Sequence, residues 1–198
     1  SPEELKSEAD AAILVLQHCV EAFRTHCTGA LILHGLELPP SPSAGVLDHQ
    51  LECGQADRIA AINRRVRDLA ATHPGVYFLD YDSLIARHGR ANWHDESKWL
   101  SVRMPIRARY LPHLAVEWLK FIHPLAGRSV KVLVTDLDNT LWGGVVGEDG
   151  MEGIQIGPEY AGAGYLQLQQ AMLDLYRRGI VLAIASKNNP DDAMQALD

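Results

Sequence analysis

The chain has 198 residues, and its 18 lysines and arginines against 25 aspartates and glutamates give a formal net charge of −7. This length suits one domain or two small ones, and a content of 47% hydrophobic and 22% charged residues is typical of a folded protein with a core. Composition therefore excludes disordered, collagen-like and disulfide-scaffold proteins. The acidic balance argues against a nucleic-acid partner. No apolar run approaches the roughly 18 residues of a membrane span, so we expect no membrane partner either.

The cysteine content indicates a reducing compartment. Cys19, Cys27 and Cys53 show no metal-ligand spacing, and their odd number does not suggest a disulfide framework. We therefore expect a cytoplasmic protein. The first residues, Ser-Pro-Glu-Glu, contain neither an initiator methionine nor a signal peptide, which we interpret as a cut or trimmed end.

In the first half of the chain, helical and strand-like patterns alternate. Apolar residues recur every three or four positions in four segments that we predict to be helices, 4–27, 55–71, 83–88 and 111–122. Short apolar runs predict strands at 30–34 and 76–79. A proline-rich segment predicts a loop at 38–48, and the polar, aromatic stretch 90–109 has no clear period. This alternation predicts a parallel sheet covered by helices, and 124–129 is the predicted linker.

The second half begins with a β-branched run at 130–135, which predicts a fully buried strand. Six glycines follow between Gly143 and Gly157, and we expect this segment to form a hairpin flap that closes over a site. It is too short for an inserted cap domain. A helix at 162–178, a second buried strand at 180–185 and a helix starting at Pro190 complete the pattern. We therefore divide the chain into 1–127 and 128–198.

Two carboxylates follow the first strand of the second half. Asp136 and Asp138 lie where parallel α/β sheets bind their ligands, and residues two apart can point the same way. Two carboxylates held together repel each other unless a cation lies between them. Mg²⁺ resolves this repulsion and also binds substrate phosphates. One aspartate can then attack phosphorus while the other donates a proton. The alternative is an acidic turn or a helix cap.

A second polar group follows the strand predicted at 180–185. Ser186, Lys187 and the backbone N–H groups of this strand-to-helix junction can form a phosphate cradle. Ser186 alone is equally a simple helix cap, and Lys187 either neutralises phosphate or is merely exposed. Both motifs occurring in order, on two strands with a helix between them, favours a phosphate site.

These motifs resemble a known superfamily. Asp-Leu-Asp-Asn-Thr at 136–140 resembles the first signature of the haloacid dehalogenase (HAD) superfamily, and Ser186 resembles its second. The run 136–154 and the segment 177–189 are similar in detail to FkbH-like proteins of HAD subfamily IIIC. The similarity extends upstream over most of the chain.

The resemblance implies a role for each matching residue. Asp136 is the nucleophile and a Mg²⁺ ligand, and Asp138 is the general acid/base, with its backbone carbonyl on the metal. Thr140 supports the loop on the phosphate side, and Ser186 anchors phosphate. The later lysine and the acidic metal-binding pair of this superfamily lie outside the present sequence, so we expect an incomplete active site.

The resemblance also implies a reaction. FkbH-like proteins take a glyceryl unit from 1,3-bisphosphoglycerate, release phosphate and load the unit onto an acyl carrier protein in polyketide and related biosynthesis. In the reaction proposed for this family, a cysteine carries the acyl group for one step, which makes Cys53 a candidate acyl-carrying thiol. The alternative is that Cys53 acts only as a small buried hydrophobic residue. We expect Cys19 and Cys27, on the helix predicted at 4–27, to be buried in the protein core. The other two hypotheses are a phosphatase for a small phosphorylated metabolite and a non-catalytic module that docks a carrier protein.

The first half resembles SGNH hydrolases more loosely, because the early Gly-Asp-Ser block of that group is missing. His94, Asp95 and His113 are candidate relics of a hydrolase dyad. We expect a degenerate module that binds substrate or carrier. The predicted fold is thus α/β, with a Rossmann-like, SGNH-like parallel-sheet module followed by the first part of a HAD-like Rossmannoid domain.

Overall fold

A computed structural model describes residues 2–197, with side chains described from residue 8 onward. The chain divides into two compact units, Ser1–Gly127 and Arg128–Asp198. In its described part, each unit contains one two-stranded parallel sheet together with helices. The mixed α/β class predicted from the sequence is confirmed.

The first unit is built on the pairing of its two strands. Its first elements are helix α1 (Pro2–His26), strand β1 (Leu31–His34), a 3-10 helix (Gly45–Gln50), helix α2 (Gln55–Thr72) and strand β2 (Val76–Leu79). Strand β1 runs parallel to β2, with Leu31 opposite Val76 and His34 opposite Leu79. Apolar side chains of α1 and α2 pack on this pair, so one core joins the two helices to the sheet.

Buried Asp48 fixes the loop between β1 and α2. Its Oδ1 accepts the N–H of Gln55 at 2.8 Å, and its Oδ2 accepts the N–H of Ala56 at 3.0 Å. These backbone hydrogen bonds, from Ala56 first and Gln55 second, lower the pKa of Asp48. The first N–H groups of a helix lack partners within the helix, and a carboxylate there also complements the helix dipole. Asp48 therefore holds the loop against the start of α2.

The stretch 90–109, which has no clear sequence period, contains two short helices. After β2 the unit continues with α3 (Tyr81–His88), α4 (Arg90–Trp93), α5 (Glu96–Val102), a 3-10 turn (Ala108–Tyr110) and α6 (Leu111–Leu125). Fully buried Trp93 packs with Leu84, Ile85 and Leu114. The predicted linker at 124–129 is wrong at its start, because α6 continues through Pro124.

The second unit also pairs its strands in parallel. Its elements are β3 (Val132–Thr135), α7 (Val146–Gly153), α8 (Gly162–Arg177), β4 (Val181–Ile184) and α9 (Pro190–Leu197). The prediction of fully buried strands is wrong, since Val132, Val134, Val181 and Ile184 are 50%, 59%, 57% and 47% exposed. Leu133 and Leu182 pack on the core of this unit. Side chains alternate along a strand, so Val132, Val134 and Val181 lie on the opposite, open face, whereas Ile184 shares the covered face of Leu182 and is exposed at the end of β4.

The predicted glycine-rich hairpin flap is also wrong. Gly143 and Gln155 exchange two backbone hydrogen bonds, of 3.0 and 2.7 Å, but the chain between them forms α7. The carboxylate of Asp149 accepts the N–H of Val145, the residue that precedes α7, at 2.8 Å and so ties the incoming chain to the first turn of this helix. Gly150, with φ of 68°, interrupts the helical backbone. The segment is a short helical loop whose two ends are joined by the hydrogen bonds between Gly143 and Gln155.

All three cysteines are free and exposed. The expectation that Cys19 and Cys27 lie in the core is wrong, because the buried stripe of α1 runs through Ile13, Leu16 and Val20, and Cys27 lies beyond the helix end. Cys53 is not a small buried hydrophobe, since it lies exposed in the turn before α2. Within residues 2–197, no helix combines the length and the apolar character that crossing a bilayer requires.

The tight contact between Gly54 and Asp48 gives a stability prediction. A Cβ atom at position 54 would lie 2.3 Å from the Asp48 carbonyl oxygen, so Gly54→Ala must displace the loop, and we expect a loss of about 1–3 kcal/mol. Gly164→Ala is the control, because its methyl group meets open space within α8 and should be neutral or stabilising by about 0.5–1 kcal/mol. Urea unfolding followed by circular dichroism measures both. Equal midpoints for the two variants would contradict the prediction.

Candidate active site

The candidate site lies at the carboxyl edge of the β3–β4 pair. Because the strands are parallel, with Thr135 opposite Ile184, the chain leaves both strands at the same edge. Residues 136–140 follow β3 and residues 186–189 follow β4. This edge is where ligands bind in open α/β sheets. Both predicted motifs therefore lie at one edge of the pair.

Asp136 is exposed directly after β3. Its Oδ1 accepts the N–H of Leu137 at 2.7 Å, and its backbone carbonyl accepts the Thr135 hydroxyl at 2.9 Å. The backbone is thus anchored while the carboxylate faces solvent. An exposed carboxylate at this edge is accessible to a ligand.

Asp138 is half-buried and held by N–H donors. Its Oδ1 accepts the Trp142 Nε1–H at 3.1 Å and the Val146 N–H at 3.2 Å. Burial raises the pKa of Asp138, but the Val146 N–H, the nearby Asn188 side chain and the Trp142 indole N–H together outweigh burial, so the net pKa is lowered. Trp142 is itself 2% exposed within the core of the unit. The free site therefore holds a charged, oriented carboxylate.

A left-handed turn links the two aspartates to α7. Asn139 has φ of 53°; its Oδ1 accepts the Gly144 N–H at 3.0 Å, and its own N–H donates to the Gly144 carbonyl at 3.2 Å. Half-buried Thr140 donates its N–H to the Leu137 carbonyl at 3.1 Å. Asparagine tolerates positive φ better than most residues, which is the sequence signal for the structural role of Asn139.

On the β4 side, Ser186 makes a turn contact. Its Oγ accepts the Asn188 N–H at 3.2 Å, and both Ser186 and Lys187 are exposed. Sequence reasoning gave Asn188 no role. The Nδ2 atom of Asn188 is buried and makes no hydrogen bond within the described residues. The Asn188 side chain lies near enough to Asp138 to help lower the pKa of that carboxyl, but no hydrogen bond joins the two side chains in the structure.

The turn after β3 offers oxygen donors of the kind that Mg²⁺ prefers. Within residues 2–197, no three His, Cys, Asp or Glu side chains are grouped as a metal site. The exposed carboxylate of Asp136 and the backbone carbonyl of Asp138 are hard oxygen ligands. Mg²⁺ prefers such ligands and usually keeps several waters in its octahedral shell. Two protein oxygens, completed by waters and substrate phosphate, are compatible with that chemistry.

The candidate relics of a hydrolase dyad in the first unit each contact a different partner. Asp95 caps α5 by accepting the Lys98 N–H at 3.1 Å. The ring centroid of His113 lies 4.0 Å from that of His88. His94 instead pairs with Glu37, which sequence reasoning missed. Since Glu37 and His94 are 57 positions apart, no local pattern indicates this contact.

A solved structure shares this fold. It is the N-terminal part of the protein BF1531 from Bacteroides fragilis, which contains a phosphatase domain and is complexed with Mg. The TM-score is 0.81 at 25% sequence identity, over 95% of this chain and 49% of that one, so our chain spans about half the length of the structure it matches. This similarity supports a HAD-like phosphatase fold. No protein-family model matches the chain, and no curated protein matches it.

The contact from Trp142 to Asp138 gives a second stability prediction. Trp142→Phe keeps an aromatic ring in the core but removes one of the two N–H donors to Asp138. We expect a loss of about 1–2 kcal/mol in the unfolding free energy, because a half-buried carboxylate loses a partner. Trp99→Phe is the control, since Trp99 is 47% exposed and should change stability by less than about 0.5 kcal/mol. Thermal denaturation compares the two, and a larger loss for Trp99→Phe would refute this assignment.

Proposed function

We propose that the chain is a Mg²⁺-dependent, HAD-type phosphoryl-handling enzyme. The observation that carries the proposal is the contrast between two carboxylates of one turn. Asp136 is exposed, whereas Asp138 is half-buried and held by two N–H donors. The similarity to a phosphatase domain complexed with Mg supports this assignment.

The two aspartates divide the reaction between them. Asp136 attacks phosphorus, and a phosphoaspartate forms as the bond between phosphorus and the leaving oxygen breaks. Asp138 gives that oxygen a proton and later takes one from the water that hydrolyses the phosphoaspartate. The negative charge of a bound phosphate raises the pKa of a neighbouring carboxyl, which allows Asp138 to carry the proton. Bound Mg²⁺ would neutralise charge between carboxylate and phosphate.

The β4 side of the site binds the phosphate oxygens in this proposal. The Ser186 hydroxyl and the Lys187 ammonium supply donors from an exposed turn, and Thr140 supports the opposite loop. The buried Nδ2 of Asn188 is a further donor at this edge. Hydrogen bonds between charged groups and phosphate are about twice as strong as neutral ones.

Removing the nucleophile tests the proposed chemistry. We expect Asp136→Asn to lower Mg²⁺-dependent hydrolysis of p-nitrophenyl phosphate at least 1,000-fold, as an order-of-magnitude estimate, because the amide cannot attack phosphorus. Mg²⁺ with beryllium fluoride should raise the melting temperature of the wild type and not of Asp136→Asn, because a ligand that binds only the folded state stabilises it.

Asp174→Asn is the matched control, because Asp174 lies on α8 and pairs with Arg177 on the surface. It should retain the wild-type rate and melting shift. A melting shift without hydrolysis would favour the non-catalytic docking module. An unchanged rate in Asp136→Asn would exclude this carboxylate as the nucleophile.

The finer proposal is glyceryl loading of the FkbH type. It rests on the resemblance of 136–154 to that group and on the shortness of the segment that follows the turn of Asp136 and Asp138. Helix α7, which follows the catalytic turn, has only eight residues, so this segment contains no cap domain. An open site admits the phosphopantetheine arm of an acyl carrier protein. We place this reaction in the cytoplasm, and hydrolysis of a small phosphorylated metabolite is the alternative.

Intact-mass measurement tests glyceryl loading. We expect 1,3-bisphosphoglycerate, Mg²⁺ and a carrier protein to give a glyceryl adduct on the carrier, with two phosphates released for each adduct: the acyl phosphate as the thioester forms, and the 3-phosphate by hydrolysis at the Asp136 site. In this exchange the Cys53 thiol takes the acyl carbon as the bond from that carbon to the phosphate oxygen breaks, and the carrier thiol then takes the acyl carbon as its bond to the Cys53 sulfur breaks. Cys53→Ser should abolish the adduct if Cys53 carries the acyl group, whereas Cys19→Ser should leave it intact. Phosphate release without an adduct would favour the plain phosphatase.

A further inference from the structure

A second cluster of polar side chains lies at the carboxyl edge of the β1–β2 pair. The loop after β1 is held at two points by side chains from different helices. Asn63 on α2 accepts the Leu36 N–H and donates to the Leu36 carbonyl, each at 2.7 Å. Asp82 on α3 accepts the Leu38 N–H at 2.6 Å. The backbone of Glu37 is therefore fixed from both sides.

Arg90 reinforces the second of these points. Its guanidinium donates to both oxygens of Asp82, at 2.5 and 2.7 Å, and to the Leu38 carbonyl at 3.4 Å. The hydrogen bond from Arg90 is the main cause of the lowered pKa of Asp82. Each charge of this pair is neutralised by the other, so the pair holds the loop and leaves little net field for a ligand.

Glu37 and His94 form the centre of the cluster. The Oε2 atom of Glu37 lies 2.7 Å from the Nε2 atom of His94, and their side chains are 35% and 29% exposed. His94 also forms a β-bridge with Ile106, which fixes its backbone. Within the described residues, the Oε1 atom of Glu37 and the Nδ1 atom of His94 have no hydrogen-bond partner. These two atoms are therefore available to a ligand.

Tyr81 and His34 supply donors beside this pair. The Tyr81 hydroxyl accepts the Trp93 Nε1–H at 3.0 Å, so its own proton is free to donate. The Nε2 atom of His34 accepts the Trp118 Nε1–H at 2.8 Å. Because an indole N–H only donates, neutral His34 carries its proton on Nδ1. Burial raises the pKa of Tyr81 and lowers that of His34, which keeps both groups neutral.

Three aromatic rings meet at this edge. The ring centroid of His34 lies 5.9 Å from that of Tyr81 and 5.8 Å from that of Trp118. Trp118 is 40% exposed, so part of its surface is open to a ligand. Apolar C–H groups of a small molecule can pack on such rings while its polar groups meet the neighbouring donors and acceptors.

We propose that the carboxyl edge of the β1–β2 pair is a binding site for a small neutral ligand with several hydroxyl groups, of the sugar or polyol type. A hydroxyl group both donates and accepts, which matches the donors of Tyr81 and His34 and the acceptor atom of Glu37. The charges of Arg90 and Asp82 cancel within their own pair, and the carboxylate of Glu37 disfavours an anionic ligand. Carboxyl edges of parallel strands are the usual place for such sites. This site is independent of the function proposed for the second unit.

Saturation-transfer NMR on the full chain tests the proposal. The probes are glycerol, D-glucose, D-galactose and N-acetyl-D-glucosamine, with acetate and inorganic phosphate as anionic competitors. We expect at least one neutral probe to bind, and Tyr81→Phe and Glu37→Gln each to weaken its affinity at least tenfold. Tyr77→Phe is the control, because Tyr77 lies on β2 and packs against Phe121; it should bind as the wild type does.

Three results would overturn the site. They are no binding of any neutral probe, equal affinity in Tyr81→Phe and wild type, or displacement of the neutral probe by acetate or phosphate at similar concentrations. Near-ultraviolet circular dichroism confirms that each variant is folded. If Glu37→Gln fails to fold, Tyr81→Phe alone decides, because it removes a single oxygen and keeps the ring that packs against Trp93.

Discussion

Parallel strand pairing is the constraint on which both sites depend. In β3–β4, Thr135 lies opposite Ile184, so the turn of Asp136 and the turn of Ser186 leave the sheet at one edge although they are far apart in sequence. In β1–β2, His34 lies opposite Leu79, and the same rule brings the loop after β1 to the start of α3. In each pair the candidate site lies where the chain leaves the carboxyl ends of the strands. The covering helices and the apolar strand faces supply stability.

The turn after β3 makes two identical side chains chemically different. Asp136 faces solvent and has one backbone donor, whereas Asp138 is held by an indole and a backbone N–H. Electrostatic repulsion alone would demand a cation between them. The structure shows a second way to hold a charged carboxylate in this turn, because two N–H donors stabilise Asp138 before any cation binds. Trp142 and Val146 belong to the core, so core packing sets the position of the Asp138 carboxylate.

The sequence predicted the order of the main elements well. Strand β2 occurs at the predicted residues and α2 differs by one, because period and breakers are local signals. It also placed the Asp136 and Ser186 motifs at the ends of consecutive strands of the second half. It could not predict the pairing of Glu37 with His94, which depends on how distant segments pack. The sequence also predicted that β3 and β4 are buried, although one face of the pair is open. An apolar, β-branched run predicts a strand, but it does not show whether each face of that strand is covered. The eight-residue helix α7 was missed because the glycines of this segment predict a loop, and the sequence does not show that Asp149 hydrogen-bonds the residue before the helix.

The unpaired edges of the β3–β4 pair, together with its open face, affect how the protein behaves in solution. Each strand of a two-stranded sheet has one edge whose N–H and C=O groups are unpaired, and in the described part of the chain both sheets are of this kind. An unpaired edge beside exposed valines such as Val132 and Val134 is a template on which a further strand can assemble. Assembly between molecules is second-order, so its rate rises with protein concentration, while the net charge of −7 opposes it through mutual repulsion.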